Sequence, residues 1–320
     1  MNTIPIIFNE KEVPYTVIGG NKTDTQVDEP LFSVIVLNRG GRYFSDSIFD
    51  NLKQYKFKSI FSVGNSQPVV NIETVANKFP EIKFITPLEK ITFGEMVNIC
   101  ASESNAQYLL VLWNDTVIEA QGFAGTMLEQ LYTANRVCTA PALLNSKGMP
   151  IFNQIVPVLQ DSIFSTQQFS AIQDKTPTLY PFDFIGIYNR KKLIDLAGFD
   201  YTIKNPYWQV LDFGMRSKLW GNEINIATSF KIRYISNTPE EDISADEYYR
   251  MFFLKNLAYT MRNKEAVLQK RLFFDYKKNS GQNFFDALKQ FKDAKIWIAL
   301  NKNRFEKSAH QIISEWEPVI

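Results

Sequence analysis

Short apolar runs alternate along the chain with stretches in which apolar positions recur every three or four residues. The central run is Tyr108-Leu-Leu-Val-Leu-Trp113, and it stops abruptly at Asn114-Asp115. A run this short and this apolar suits a strand buried on both faces rather than a helix. Comparable runs predict strands over residues 32–37, 59–63, 82–85 and 136–140. Helical spacing lies between them, at Ile48, Leu52 and Tyr55 and over residues 72–79, 93–102 and 122–133. Strands alternating with helices in this way predict βαβ units and a mostly parallel central sheet flanked by helices. Past residue 140 the pattern loosens. Residues 150–158 and 182–190 read as strands, 160–175 as a mostly polar stretch, 191–197 and 207–219 as helices, and 224–227 and 231–235 as two short strands. From Ser244 onward the period is helical, with breaks near Gly281 and Asn301. The expected organisation is an N-terminal extension over 1–30 with short strands at 4–8 and 15–18, an α/β domain over 31–240, and a helical region over 241–320.

Polar clusters stand where the predicted strands end: Asn38-Arg39, Asn65-Ser66 and Asn114-Asp115. Open α/β sheets bind ligands in the crevice beyond those ends. Taken alone, Asp115 fits a turn or a helix cap as well as a ligand contact. Gly40-Gly41 lacks the glycine spacing of a dinucleotide fold, and there is no phosphate-binding loop ending in Gly-Lys-Ser/Thr. A single histidine, His310, argues against a Ser-His-Asp triad or a histidine-based zinc site. Cys100 and Cys138 lie in apolar segments and are expected to be buried free thiols. No apolar run has the length of a membrane span, and Glu10-Lys-Glu12 interrupts any signal-peptide core. The net charge of +1 conceals an asymmetry: residues 250–307 hold 14 Lys/Arg against 5 Asp/Glu, interleaved with aromatics. Cations such as Lys255, Arg262, Lys264, Lys270, Arg271, Lys277 and Lys278 alternate there with Phe252, Phe253, Phe273, Phe274 and Tyr276. Such a helix could lie on an anionic bilayer, or its aromatics could pack internally.

From Phe32 to Tyr259 the chain resembles the family 2 glycosyltransferases with the GT-A fold, above all their rhamnosyltransferase-like members. Phe32-Ser-Val-Ile-Val-Leu-Asn-Arg39 looks like the family's opening strand and loop, and Val63-Gly-Asn-Ser66 is similar to its Val-Asp-Asn-Ser turn. Ile91-Thr-Phe-Gly-Glu-Met-Val-Asn98 resembles the segment before the central helix, and residues 108–117 the Leu-Asn-Asn-Asp-Val form of the DxD motif. Phe184-Ile-Gly-Ile-Tyr-Asn-Arg-Lys191, Gly198-Phe-Asp200 and Trp208-Gln-Val-Leu-Asp-Phe-Gly-Met-Arg216 are similar to the acceptor-side strand, the Gly-Phe-Asp turn and the base helix.

The resemblance implies transfer of a sugar from a nucleotide-sugar donor to a hydroxyl of a glycan or lipid-linked glycan, with inversion. It places Asn38, Arg39 and Asn65 at the nucleotide, Gly94 where backbone approaches the donor, and Asn114 and Asp115 at the diphosphate. Asp115 would hold Mg²⁺ or Mn²⁺, and Asp212 would act as base or as a structural partner of Arg216. The setting implied is cytoplasmic, with peripheral contact on the inner membrane face. The chain also departs from the pattern. Gly64 and Trp113 replace carboxylates, the Glu-Asp pair of the base helix falls on Gln209 and Val210, and a histidine expected near residues 234–237 is missing. A GT-A domain without catalysis, serving as a glycan- or partner-binding module, is the alternative. A nucleic-acid partner and a sugar-nucleotide pyrophosphorylase are both disfavoured, the latter because residues 38–42 do not form its glycine-rich basic loop.

Overall fold

Residues 4–20, 31–39, 46–65, 72–119, 131, 136–160, 163–171 and 173–316 are described in a computed structural model. The helix expected over 122–133 lies almost wholly outside them, as do Ser66, Gly40 and Gly41.

The first five strands are β1 (Tyr15–Gly19), β2 (Phe32–Leu37), β3 (Ser59–Val63), β4 (Ile82–Pro87) and β5 (Tyr108–Trp113). They lie in the order β1-β4-β3-β2-β5, and β4, β3, β2 and β5 are mutually parallel. Every residue of β2 and β5 is buried, as their apolar sequences, broken only by Ser33, require of strands covered on both faces. Helices α1 (Asp46–Leu52), α2 (Ile72–Lys78) and α3 (Phe93–Glu103) make the crossovers. Thr92 opens α3 with a capping box, its hydroxyl accepting from Glu95 N while the Glu95 carboxylate accepts from Thr92 N.

The register decides where chemistry can sit. Leu37 pairs with Val63 on one side and Trp113 on the other, so β2, β3 and β5 end level. Asn38, Gly64 and Asn114 therefore stand in one row. The order in which strands are added reverses at β2, with β3 and β4 to one side and β5 to the other, which makes this row the topological switch point.

The sheet continues beyond β5 through strands of mixed direction. These are β6 (Thr116–Ile118), β7 (Cys138–Leu144), β10 (Thr176–Pro177), β11 (Gly186–Asn189) and β12 (Ile224–Tyr234). β8 (Gln154–Gln160) and β9 (Ile163–Phe169) form a separate antiparallel hairpin. Helix α4 (Arg190–Asp195) follows β11, and α5 (Pro206–Leu219) is capped by Asn205, whose side chain accepts from Tyr207 N and Trp208 N.

The C-terminal region, from residue 247 on, holds α6 (Glu247–Phe252), a π-helical turn over Phe253–Leu257, a small hairpin of β13 (Thr260–Arg262) and β14 (Glu265–Val267), and helices α7 (Leu272–Ser280), α8 (Phe284–Asn301) and α9 (Ala309–Ser314). One hydrophobic core runs unbroken from the sheet into these helices and takes in Ile4 at the other end of the chain. Trp297 stacks on Trp220 and donates its Nε1–H to the Pro5 carbonyl.

Several expectations change. Residues 4–8 form no strand, and the two strands expected over 224–235 are one, β12, with a register shift between Ala227 and Lys231. The run expected as a strand over 182–190 begins as a 3₁₀ turn over Phe182–Phe184. Aromatics expected to face a bilayer mostly face the core: Phe252, Phe273 and Tyr276 are buried, and of that group Phe274 is the one fully exposed. Cys100 and Cys138 are buried free thiols, as expected.

Candidate active site

Asn114 and Asp115 form the tight turn between β5 and β6, closed by the Thr116 hydroxyl donating to the Trp113 carbonyl at 2.8 Å. Asn114 reaches back to the end of β2. Its Oδ1 accepts from Arg39 N and its Nδ2 donates to Arg39 O. That clamp aims the Arg39 side chain across the switch point. The guanidinium makes a two-pronged pair with Asp115, Nε to Oδ2 at 3.1 Å and Nη2 to Oδ1 at 3.0 Å. Its third arm, Nη1, bonds Asp183 Oδ2 at 2.8 Å, and its face lies 4.3 Å from the Trp113 ring. Tyr234, at the end of β12, donates to the same Asp183 oxygen at 3.0 Å, and Ser236 donates to Asp115 Oδ2 at 2.6 Å.

Asp183 escaped the sequence reading because it sits inside an apolar run. A carboxylate interrupting such a run is itself a signal, since once buried it must find partners. Its backbone is left-handed (φ 54°, ψ 33°), and so is that of Phe184 (φ 62°). Each such non-glycine residue costs about 1–3 kcal/mol and persists only when its surroundings enforce it. Here Trp113 Nε1 holds the Asp183 carbonyl at 2.7 Å and Tyr188 holds the Phe184 carbonyl at 2.8 Å. Burial pushes the Asp183 carboxyl up to about 6, with Arg39 and Tyr234 working against that rise. Burial also opposes the charge of Arg39, but Asp183 and Asp115 outweigh it and raise the guanidinium further. The cluster therefore comprises two carboxylates converging on a fixed cation, each also held by a hydroxyl.

The other expected residues divide. Asn38 is buried, and its Nδ2 donates to Ser62 Oγ and the Val63 carbonyl, tying β2 to β3. Its Oδ1 has no hydrogen-bond partner among the described residues. Asn65 accepts from Ile91 N and donates to Ile91 O, fastening the loop after β3 to the loop before α3. Beside it opens a cleft of about 1080 Å³ whose lining includes Asn65, Phe93, Tyr201 and Tyr248. The Phe93 ring stands edge-on to Trp113 at 4.7 Å, which links the cleft to the Arg39 cluster.

Two expectations need correction. Gly94 does not leave room for a donor, because a Cβ there would lie 2.4 Å from Phe199 Cβ and 2.7 Å from the Gln209 amide carbon. The glycine lets α3 close on α5. Asp212 lies at 0% exposure with both oxygens engaged. Oδ1 accepts from Lys255 at 2.9 Å and Asn256 at 2.8 Å, and Oδ2 accepts from Arg216 at 3.2 Å. Burial opposes its charge, yet Lys255 and Arg216 outweigh burial and hold the carboxyl below its ordinary value. A carboxylate so enclosed and so stabilised is a poor proton acceptor, and its place is structural. Gln209, where the resemblance leads one to expect an acid, is equally committed: it accepts from Gly94 N and donates to Thr92 Oγ1 and the Asp200 carbonyl.

The oxygen donors around the guanidinium suit a hard divalent cation, which one or two carboxylates bind together with phosphate and water. Among the described residues no group of three or more His, Cys, Asp and Glu could hold a metal unaided. The described helices include none long and apolar enough to cross a membrane.

No protein-family model matches the chain, and no curated protein matches it in sequence. Among solved structures it is similar to GalNAc-T7, crystallised with UDP, GalNAc and Mn²⁺, with a TM-score of 0.58 and 11% identity over 90% of this chain. The match spans 57% of the GalNAc-T7 chain. It also resembles S. aureus TarS 1-349 in complex with UDP-GlcNAc, at TM-score 0.48 and 14% identity, covering 82% of this chain and 79% of that one. At 11% identity the likeness to GalNAc-T7 is one of fold, and the parallel block β4-β3-β2-β5 with its flanking helices is a mixed α/β architecture of GT-A type.

Proposed function

We propose that the protein is a nucleotide-sugar-dependent glycosyltransferase, moving a sugar with inversion to a hydroxyl of a glycan or lipid-linked glycan. The observation that carries this reading is the Arg39–Asp115–Asp183 cluster at the switch point of a GT-A sheet. Transfer leaves a nucleoside diphosphate, so the site must accept growing negative charge on phosphate oxygens. Arg39 is permanently charged and forked, which suits it to take those oxygens in pairs. Asp115, with Asp183 beside it, is the carboxylate that would hold Mg²⁺ or Mn²⁺. A divalent cation bound there supplies charge neutralisation at the departing diphosphate. The nucleoside would lie toward Asn38, whose buried Oδ1 is open to a donor, and along the cleft beside Asn65 and Phe93.

One observation favours the alternative, a binding module without turnover: the position of the family's acid is Gln209, fully committed to holding two helices together. Turnover separates the two readings. Calorimetry with UDP, the nucleotide present in the GalNAc-T7 structure, tests what both require. Binding is expected with Mn²⁺ or Mg²⁺, weakened at least tenfold by EDTA and by Asp115→Asn. Equal affinity in all three conditions overturns the assignment of Asp115. Hydrolysis of any donor in a panel of nucleotide sugars then favours the enzyme. A lipid-linked acceptor would agree with a cytoplasmic protein resting on the inner membrane face through the exposed Phe274 in the first turn of α7 and Phe284 and Phe285 at the start of α8.

A further inference from the structure

If the protein is a glycosyltransferase, its base must come from somewhere other than Gln209, Val210 and Asp212. After β12 the chain passes directly over Asp115, with Ile235 N bonding the Asp115 carbonyl and Ser236 Oγ the carboxylate. Five residues beyond Ser236, Glu241 docks beneath Tyr180. The phenol lies 3.0 Å from Oε1 and 2.9 Å from Oε2, and Gln168 Nε2 on β9 reaches Oε2 at 3.1 Å. The loop is then fastened to the start of α5, where Asn205 Nδ2 donates to the Asp242 carbonyl at 3.1 Å and Trp208 Nε1 to the Ser244 carbonyl at 2.8 Å. A carboxylate from a different element is thereby delivered to the N-terminal end of the helix whose own base position is empty of acids. Among the described residues Oε1 takes only the shared phenol contact, and Glu241 is partly exposed, which leaves a lone pair for an incoming hydroxyl.

The surroundings of Glu241 are the reverse of those of Asp212. Asp212 lies between two cations. Glu241 faces the Tyr180 phenol, the neutral Gln168 and, through space, the Asp183 carboxylate, with the Tyr207 phenol bordering Tyr180 and the acids Glu240 and Asp242 on its own loop. Burial pushes its carboxyl up to about 7, Asp183 adds to the rise, and Tyr180 and Gln168 restrain it. A base poised near neutrality combines a usable deprotonated fraction with real proton affinity. Tyr180, which holds Glu241, stands three residues before Asp183, and the loop that carries Glu241 starts from Ser236 on Asp115, so both ends of the loop are anchored to the Arg39 cluster or its immediate neighbour in the chain.

We propose that Glu241 is the general base of the transfer, resting on the glycosyltransferase reading and completing it. As the acceptor oxygen attacks the anomeric carbon, the new C–O bond forms and the bond to the diphosphate oxygen breaks. Its electron pair leaves on the nucleoside diphosphate. The acceptor proton passes to the Glu241 carboxylate and from there to water.

The test uses the full chain, UDP calorimetry, and donor hydrolysis over a panel of UDP-, GDP- and dTDP-sugars, in which water is the acceptor. Glu241→Gln is expected to keep UDP affinity within threefold, to lower kcat about 100-fold or more, and to abolish the acid limb near pH 7. Glu241→Asp should restore part of the rate. Tyr180→Phe removes a bond that favours the carboxylate, so the acid limb should move to higher pH. A Glu241→Gln protein that binds UDP and turns over at the wild-type rate with the same acid limb overturns the base assignment alone. A wild-type protein that turns over no donor overturns the glycosyltransferase reading, and this proposal with it.

Discussion

Asp212 and Asp115 are both acids within hydrogen-bond reach of an arginine, and their environments separate their roles. Asp212 is enclosed with Arg216 and Lys255, and Lys255 is shared with Asp200 at 2.6 Å. Removing one member of a buried ionic group leaves the others uncompensated, at a cost of about 3–5 kcal/mol. Asp212→Ala is therefore expected to lower the urea-unfolding free energy by that amount, while folded molecules keep their UDP affinity. A loss below about 1 kcal/mol would show that the network carries little of the fold. The spacing of Asp212 and Arg216 was legible in the sequence, but it reads equally as a surface pair, because periodicity alone does not say that both faces of α5 are covered. Lys255, 43 positions downstream, carries no local signal of its role. The pairing of Arg39 with Asp115 is hidden for the same reason, although both residues could be picked out as strand-end polar groups.

At the scale of elements, what was legible followed from period. The strands β2, β3 and β5 and the helices α3 and α5 fall where alternation placed them, because strands buried on both faces and long amphipathic helices have unmistakable patterns. The β9 strand was missed because its residues are mostly polar and partly exposed, held by pairing with β8 rather than by burial. Also illegible was the closeness of α3 to α5, which depends on a missing side chain at Gly94. Gly94→Ala should drive a methyl group into Phe199 and the Gln209 amide, costing about 1–3 kcal/mol as an overpacking change. The urea midpoint measures it, and an unchanged midpoint would mean that the interface yields freely.

For the whole molecule, the basic C-terminal region has two sides. Its inner aromatics, among them Phe252, Phe273, Phe291, Trp297 and Phe305, join the common core, which answers much of the compositional asymmetry by packing. What remains outside are Phe274 in the first turn of α7, 74% exposed, and Phe284 and Phe285 at the start of α8, the latter 79% exposed, with the cations Lys270, Arg271, Lys278 and Lys289 exposed nearby along the chain. Each cation near an anionic surface contributes about 1 kcal/mol. The full chain is expected to co-sediment with vesicles containing phosphatidylserine but not with neutral ones, and the double change Phe274→Ser, Phe285→Ser should reduce binding severalfold without altering the fold. Equal sedimentation with both vesicle types, or none at low salt, removes the membrane contact.

The bond from Trp297 to the Pro5 carbonyl spans 292 positions, and Ile4 lies in the same core as Ile312. Contacts this distant in sequence cannot form until all the residues between them have been made. During synthesis the segment around Ile4 and Pro5 must wait, its apolar surface uncovered, for α8 and α9. Folding should therefore be slow and cooperative, and trimming the chain at either end should weaken its far end as much as the near one.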